Sequence, residues 1–281
     1  MKEIVRVGVL KAGCLGTLPL LEFLLDERAD RADIDVRVVG SGAKVGSSQC
    51  REAAQLMIDQ KPDMVVFVGP AQTTPGPAEA RMMLKAAGIP TIVVSDSLSK
   101  KAVSEIEAAG LGYIIVEADS MIGARREFLD PTEMAVYNSD VIRVLAITGA
   151  LHLIVEAIDK VVRSIKVGEK IELPRLIVDA ERAVEAAGFS NPYAKVKAQA
   201  AYQLAQQVAK VTAEACFRVT EPSAYVPMVA AAHEMMRAAA RMSDEARETE
   251  KTDDQVLRRP HFRDGTLGTK RGLTEKPKKS E

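Results

Sequence analysis

Five short apolar runs, separated by segments of helical length, constrain the fold of this chain more than any other feature. The runs are rich in valine and isoleucine, end in glycine, small or acidic residues, and begin at Val5, Ile34, Asp63, Thr91 and Gly112. Near-continuous apolar strands indicate a sheet that is covered on both faces. Because helical crossovers favour parallel pairing, the pattern predicts an α/β fold with a doubly wound, mostly parallel sheet.

A helical pattern replaces this alternation after residue 128. Asp130, Pro131 and Glu133 have the order of an N-cap, a first-turn proline and a capping-box acid. They predict one helix that continues to about Ile165 and is ended by Gly168.

Two further helices, both rich in alanine, are predicted at Asn191–Phe217 and at about Pro227–Lys251, with the strand-like RLIVDA before them. The small side chains allow close packing between helices, and we interpret them as an assembly surface of a homo-oligomer. We therefore predict an α/β domain at 1–128, a helical region for the substrate cleft and oligomerisation at 129–251, and an extended, polar and basic tail or arm at 252–281.

Charge and cysteine content exclude several classes of protein. The 281 residues include 38 Lys and Arg against 39 Asp and Glu, so there is no global basic field of the kind that binds nucleic acid. Cys14, Cys50 and Cys216 are too far apart to indicate a disulfide framework or a zinc knuckle. The N-terminus lacks a signal-peptide pattern, and no uncharged run approaches the roughly 20 residues of a membrane helix. We expect a cytoplasmic protein without a nucleic-acid or membrane partner.

The loop after the first apolar run is the first candidate binding element. It reads LKAGCLGT and leads into a predicted helix, where main-chain N–H groups and the helix dipole can hold an anion. We assign cofactor binding to Lys11, Gly13, Cys14, Leu15, Gly16 and Thr17. A tight turn with a buried Cys14 is the competing interpretation.

The same loop leaves nicotinamide chemistry open as an alternative. Lys11 occupies the place of the first glycine in a G-x-G-x-x-G fingerprint, and the second apolar run ends in Gly40 and Ser41 instead of an acid. An NAD(P)-dependent dehydrogenase would therefore have to use a degenerate nucleotide loop.

The segment VGPAQTTPGP follows the third run and is stiffened by glycines and prolines. Stiff loops at the carboxyl edge of a sheet suit the recognition of flat rings, and we assign Gly69, Pro70 and Thr73 to cofactor binding. The alternative is an ordinary connection, capped by Thr73 or Thr74 ahead of a helix at Pro77.

The sequence contains no pattern for a catalytic metal or a protein nucleophile. HEMMR begins at His233 like a helical zinc motif, but Arg237 occupies the place of the second histidine. A nucleophile elbow, a Walker loop and a Ser-His-Asp order are also missing. We predict no metal.

The most polar segment is MIGARREFLDPTEMAVYNSD, at the start of the long predicted helix. It combines guanidinium, carboxylate, amide and phenol groups that can bind a heterocycle. We assign substrate binding to Arg125, Arg126, Glu127, Asp130, Tyr137, Asn138 and Asp140. A salt-bridged junction between domains is the alternative.

Several segments carry a resemblance to one enzyme family. KAGCLGT, LLDERADR, GARREFLDPTEMAVYNSD, NPYAKVKAQAA, AAHEMMRAAA and DEARETEK resemble coenzyme F420-dependent methylenetetrahydromethanopterin dehydrogenases of methanogenic and related archaea. The resemblance extends from the first strand to about His261. The usual loop of the family has asparagine at the position of Cys14.

The resemblance implies an oxidoreductase of one-carbon metabolism, in methanogenesis from CO2. The reaction is reversible hydride transfer between the methylene carbon of a tetrahydropterin and C5 of an 8-hydroxy-5-deazaflavin, coenzyme F420, held face to face in a cleft beyond the strand ends. A homohexamer, built as a trimer of dimers, is also implied. Direct hydride transfer depends on positioning, so no catalytic residue is assigned, and Glu127, Asp130 and Asp140 are candidates to stabilise the methenyl cation. A noncatalytic ligand-binding or assembly module is the remaining alternative.

Overall fold

The computed structural model describes residues 2–25, 31–120, 130–269 and 271–279. The chain forms two compact units, each built from separate segments. The first contains Met1–Ile115, Ile154–Ile177 and His261–Leu267, and the second contains Val116–Leu153, Val178–Pro260 and Gly268–Glu281. The domain boundaries inferred from sequence stay a prediction.

A six-stranded sheet has the order β2-β1-β3-β4-β5-β6. Its strands are β1 Val5–Lys11, β2 Ile34–Gly40, β3 Met64–Val68, β4 Thr91–Asp96, β5 Gly112–Val116 and β6 Arg175–Val178. β1 pairs in parallel with β2 and with β3, and β3 pairs in parallel with β4. The predicted α/β fold, the five apolar strands and the strand in RLIVDA are confirmed.

Helices alternate with the first strands as the periodicity predicts. They are α1 Thr17–Leu25, α2 Ser47–Asp59, α3 Pro75–Ala86 and α4 Val103–Ala108, with a 3₁₀ helix at Ser97–Ala102 before α4. Every residue of β3 is buried, and Met57 of α2 and Leu84 of α3 pack in the same core. The chain leaves β1 toward β2 on one side and returns to β3 on the other, so the ends of β1 and β3 flank a topological switch point.

The predicted single helix from Pro131 to about Ile165 is wrong. Two helices are present, α5 Pro131–Thr148 and α6 Ala150–Val167. They are separated by Gly149, which has a φ of 108°. A Cβ atom at this position would lie 1.9 Å from the main-chain oxygen of Ala183, so only glycine fits.

Three helices complete the second unit: α7 Ala180–Ala187, α8 Pro192–Phe217 and α9 Pro222–Lys251. α8 begins one residue after the predicted start at Asn191, whose side chain caps the helix by accepting the N–H of Tyr193. α7 was missed, although the Asp179 side chain accepts a hydrogen bond from the N–H of Arg182 as an N-cap. α9 begins five residues earlier than predicted, with Pro222 in its first turn and Pro227 inside the helix.

The alanines of α8 and α9 are largely used within the chain. Ala198, Ala201 and Ala205 of α8 and Ala239 and Ala240 of α9 are fully buried, and the two helices pack against each other. The interpretation of these alanines as an assembly surface is therefore wrong for the buried ones. Their small size explains how two long helices approach closely with little aromatic content.

The segment after residue 251 has little regular structure, as predicted, but part of it is packed. Two short strands, β7 Gly268–Thr269 and β8 Lys278–Lys279, pair antiparallel. His261 is 3% exposed, and its Nε2 atom lies 2.6 Å from Asp159 Oδ2. The prediction of an extended tail therefore holds only in part, since a buried histidine with a carboxylate partner anchors it.

In the described ranges no single helix has the length and apolar character to cross a membrane. Among the described helices, α5 and α6 satisfy those two criteria when they are taken together across their bend at Gly149.

Candidate active site

The β1 loop, residues 12–16, is held at the carboxyl end of the sheet by main-chain hydrogen bonds. The N–H of Ala12 donates to the oxygen of Val68 at 2.9 Å, and that of Gly13 donates to Gly42 at 3.2 Å. Gly13 has a φ of 77°, which suits glycine. Cys14 is exposed, so a turn built around a buried thiol is excluded.

Side chains at the two ends of the β1 loop are already engaged or buried. The Nζ atom of Lys11 lies 2.9 Å from Glu22 Oε1, so its charge is partly offset. Thr17 is fully buried at the start of α1. The main chain is therefore the more accessible binding element of this loop.

The β3 loop, residues 69–74, approaches the β1 loop so closely that only glycine fits. A Cβ atom on Gly69 would lie 2.4 Å from the main-chain oxygen of Ala12. A Cβ atom on Gly76, in the first turn of α3 just after this loop, would lie 2.2 Å from the main-chain oxygen of Val45, in the loop after β2. The structure thus brings together the predicted residues Gly13, Gly69 and Pro70, while Thr73 is exposed.

The connection from the β3 loop into α3 differs from the predicted capped turn. α3 begins at Pro75, and the hydroxyl of Thr74 donates to the oxygen of Ala71 at 2.8 Å instead of capping the helix. Ala71 has a φ of 55°, in the left-handed region that residues other than glycine seldom adopt.

Main-chain donors remain available at both loops. Within the described ranges, the N–H groups of Cys14, Leu15, Ala71 and Thr73 donate to no other protein group. Such donors beside glycines can bind an anionic group of a cofactor. The residues present therefore fit a phosphate-bearing ligand.

Local sequence patterns do not mark the buried polar side chains next to the β3 loop. Gln72, Ser95 and Ser99 are fully buried, and Arg81 is 1% exposed. Their positions offered a weak signal, since Ser95 interrupts an apolar strand and Arg81 lies among buried positions of α3.

In the second unit, the start of α5 is bound to α9 through a histidine. Asp130 accepts the N–H of Glu133 at 2.8 Å, which confirms the predicted N-cap. Glu133 Oε1 lies 2.6 Å from Nδ1 of the buried His233. The His233 ring stacks on Tyr137, with 4.1 Å between ring centroids.

Tyr137 is held from its other end as well. Its hydroxyl shares a short hydrogen bond with Ser120, just after β5. Burial raises the pKa of the Tyr137 hydroxyl, the bond to Ser120 opposes the rise, and the charge of Asp119 adds to it. The hydroxyl is therefore neutral at physiological pH.

The remaining predicted residues of α5 lie on different faces. Asp140 is 7% exposed, and Arg143 Nη1 lies 3.6 Å from its carboxylate. Asn138 donates to the main-chain oxygen of Met134 in its own helix at 2.8 Å. Tyr137 and Asp140 therefore share the inward face of α5, and Asn138 does not. Arg125, Arg126 and Glu127 lie outside the described residues.

Among the described residues, no group of three or more His, Cys, Asp or Glu side chains could hold a metal ion.

A sequence model of the methylene-5,6,7,8-tetrahydromethanopterin dehydrogenase family matches residues 5–278. This chain belongs to that family. The resemblance seen in the sequence segments is thereby confirmed, and the match includes both loops and the start of α5.

Relatives in this dehydrogenase family are similar over nearly their whole length. The F420-dependent methylenetetrahydromethanopterin dehydrogenases of Archaeoglobus fulgidus and Methanothermobacter marburgensis are 54% and 51% identical over 274 residues. These alignments cover 98% of this chain and 99% of each relative.

A solved structure of a dehydrogenase from the family has the same fold. The TM-score is 0.94 at 45% sequence identity, and the superposition covers 98% of this chain and 100% of the other. That enzyme is an F420-dependent methylenetetrahydromethanopterin dehydrogenase in complex with methylenetetrahydromethanopterin and coenzyme F420.

Replacing Asp140 with asparagine is expected to raise the melting temperature of this dehydrogenase at neutral pH. Burial raises the pKa of the Asp140 carboxyl, and the charge of Asp244 adds to the rise. The guanidinium groups of Arg143, Arg237 and Arg241 oppose it. The pKa is raised on balance, so the charged form is disfavoured. The folded state then binds a proton more tightly than the unfolded state. The associated stability is present at low pH and is lost as pH rises from the ordinary aspartate pKa through the raised one.

Melting curves of Asp140→Asn and the unsubstituted enzyme, recorded at pH 7 and pH 4, test this expectation. The stabilisation should be smaller at pH 4. Asp244→Asn is the control, because this half-exposed carboxylate lies 3.2 Å from the same Arg143. A lower melting temperature of Asp140→Asn at pH 7 would show that the ion pair outweighs the cost of burial.

Proposed function

We propose that this protein catalyses reversible hydride transfer between 5,10-methylenetetrahydromethanopterin and coenzyme F420. The observation that carries this conclusion is the family match over residues 5–278. Relatives of about 50% identity bear the same activity in their names. The protein is thus an F420-dependent oxidoreductase of the one-carbon metabolism associated with methanogenesis.

The two alternatives have less support. An NAD(P)-dependent dehydrogenase is not favoured, because the relatives are F420-dependent and the nucleotide fingerprint is incomplete. A noncatalytic module is not favoured either, since the enzyme relatives match 98% of the chain.

The cofactor is assigned to the loops of the first unit. Gly13 and Gly69 allow the β1 and β3 loops to pack closely against each other. The N–H groups of Cys14, Leu15, Ala71 and Thr73, which have no partner among the described residues, suit the phosphate or carboxylate groups of the cofactor. Coenzyme F420, when bound, supplies the deazaflavin carbon that accepts or donates the hydride. Lys11, Gly16, Thr17 and Pro70 complete the proposed cofactor set by shaping these loops.

The pterin is assigned to the polar segment that leads into α5 in the second unit. Asp130 and Asp140 place carboxylates at and beyond its N-terminus, where the positive end of the helix dipole would otherwise disfavour a cationic product. These acids, together with Glu127, would offset positive charge on the methenyl form.

The other residues proposed to bind the substrate have different roles. Tyr137 is engaged by Ser120 and His233, so we assign it to the shape of the binding surface. Asn138 is proposed to exchange its bond within α5 for a ligand contact, and Arg125 and Arg126 to pair with pterin oxygens. No side chain is required as an acid, base or nucleophile, because the chain's task is to position two rings.

A cytoplasmic homohexamer, assembled as a trimer of dimers, is proposed as the working form. Tyr193 and Val196 lie one turn apart on α8 and are 80% and 65% exposed, which suits a contact between subunits. Sedimentation that finds a fully active monomer would contradict this assembly.

A direct assay tests the activity. Absorbance of oxidised F420 should decrease when the protein and methylenetetrahydromethanopterin are added, and it should recover with the methenyl compound and reduced F420. NAD⁺ and NADP⁺ are the control acceptors. Turnover with either nicotinamide and none with F420 would reverse the assignment, and no turnover with any acceptor would favour the noncatalytic module.

A further inference from the structure

A buried arginine of α3 is bound to the β3 loop by hydrogen bonds of defined direction. The side chain of Arg81 is 2% exposed. Its Nη1 atom donates to the main-chain oxygen of Gln72 at 2.6 Å and to the side-chain Oε1 of the same residue at 2.8 Å. Its Nη2 atom lies 2.9 Å from Glu105 Oε1 in α4. The guanidinium therefore connects the loop to two helices.

Gln72 extends this connection to the start of the loop. Its Nε2 atom donates to the main-chain oxygen of Gly69 at 2.9 Å. Because Arg81 occupies the side-chain oxygen of Gln72, the amide presents its nitrogen to Gly69. The amide orientation is thus set by the arginine.

Two serines complete the attachment from the β4 side. Ser95 donates to the same oxygen of Gly69 at 2.6 Å, and the N–H of Gln72 donates to Ser99 at 3.2 Å. Hydrogen bonds therefore fix Gly69 and Gln72, which lie on either side of Ala71 with its left-handed backbone. A residue other than glycine keeps this conformation only when the surrounding structure imposes it.

The burial of a charged group is difficult to explain by stability alone. Desolvation lowers the pKa of Arg81, and the nearby Glu105 raises it, so the charged form is disfavoured by its surroundings. A buried ion pair is often no more stabilising than apolar side chains of the same volume. A planar guanidinium, in contrast, directs several hydrogen bonds at once. The hydrogen bonds of Arg81 therefore fix the geometry of the β3 loop.

We propose that Arg81 is a positioning residue for the cofactor, acting through Gln72 to hold the main chain of Gly69–Thr73 in its ligand-binding conformation. This inference rests on the proposed function, because it takes the β3 loop as part of the F420 site. It adds two residues, Arg81 and Gln72, that do not need to touch the ligand.

Two variants test separately the hydrogen bonds from Arg81 to Gln72 and from Gln72 to Gly69. Arg81→Met removes the charged donor and keeps apolar volume. Gln72→Glu keeps the shape of the side chain and the contact with Arg81, but replaces the donor that faces Gly69 with an oxygen. Arg182→Lys is the control, since Arg182 is an exposed residue of α7 in the second unit.

The measurements are the Kd of F420, from its fluorescence, together with both KM values, kcat and the melting temperature. In Arg81→Met and Gln72→Glu, the Kd and KM for F420 should rise on the order of tenfold, since a charge-assisted hydrogen bond contributes about that factor. The KM for the pterin and kcat at saturating F420 should stay within about twofold of the unsubstituted enzyme. A purely structural role would not raise the KM for F420 while leaving the KM for the pterin unchanged.

Unchanged F420 binding in folded Arg81→Met and Gln72→Glu proteins would overturn the inference. An equal rise of both KM values would also overturn it. If Arg81→Met does not fold, Gln72→Glu decides by the same criterion. Failure of the unsubstituted enzyme to bind F420 would contradict the proposed function itself, and this is measured before any variant is compared.

Discussion

Replacing Gly149 with alanine is expected to lower the melting temperature by roughly 10 °C or more, because overpacking and backbone strain add, and each kcal/mol is worth about 2–4 °C at this size. The residue has a φ of 108°, which an L-amino acid rarely adopts. The added Cβ atom would also lie 1.9 Å from the main-chain oxygen of Ala183 and 2.7 Å from the nitrogen of Ala187. Both obstacles are main-chain atoms of α7, so neither can rotate away.

Gly168→Ala is the matched control for this substitution. Gly168 also follows a helix and has a φ of 78°, but in the described part of the chain no atom beyond its sequence neighbours lies within 4 Å of an added Cβ atom. Only the cost of the left-handed backbone applies there, about 1–2 kcal/mol. Thermal melts of both variants compare the two contributions. Equal losses would mean that the contact with α7 has no part in separating α5 from α6.

Replacing Gly69 with alanine is expected to weaken F420 binding on the order of 100-fold, because a displacement of about 1 Å at a binding loop can have that effect. A Cβ atom on Gly69 would lie 2.4 Å from the main-chain oxygen of Ala12, so the β1 and β3 loops would have to separate. Both loops carry the N–H groups assigned to the cofactor. The Kd of F420 and the two KM values are the measurements.

Gly40→Ala provides the control for the loop substitution. Gly40 ends β2, and the nearest atoms to an added Cβ lie 3.5 Å away, on Lys11. Its effect on F420 binding should be small, since this is an ordinary van der Waals distance. A Gly69→Ala enzyme that binds F420 with unchanged affinity would remove the two loops from the cofactor site.

The candidate site was only partly predictable from the sequence. Glycines and prolines mark the β1 and β3 loops because tight turns and close approaches require them, and those marks are local. The side chains that support the loops are not marked in this way. Arg81 lies in an amphipathic helix and contacts Glu105, 24 residues away, while His233 contacts Glu133, 100 residues away. Neither partner can be inferred from spacing along the chain.

The sequence by itself determined the strands of the α/β fold and the cap at Asp130, because these features depend on residues close together in the chain. Only the tertiary structure decided where the helix after Pro131 ends. Apolar periodicity continues through Gly149, and glycine is merely permissive of a break. The missing Cβ of Gly149 leaves room at the break for the main chain of Ala183 in α7, 34 residues further along. The same physical reason applies to the buried histidine at 261, whose partner Asp159 is supplied by α6.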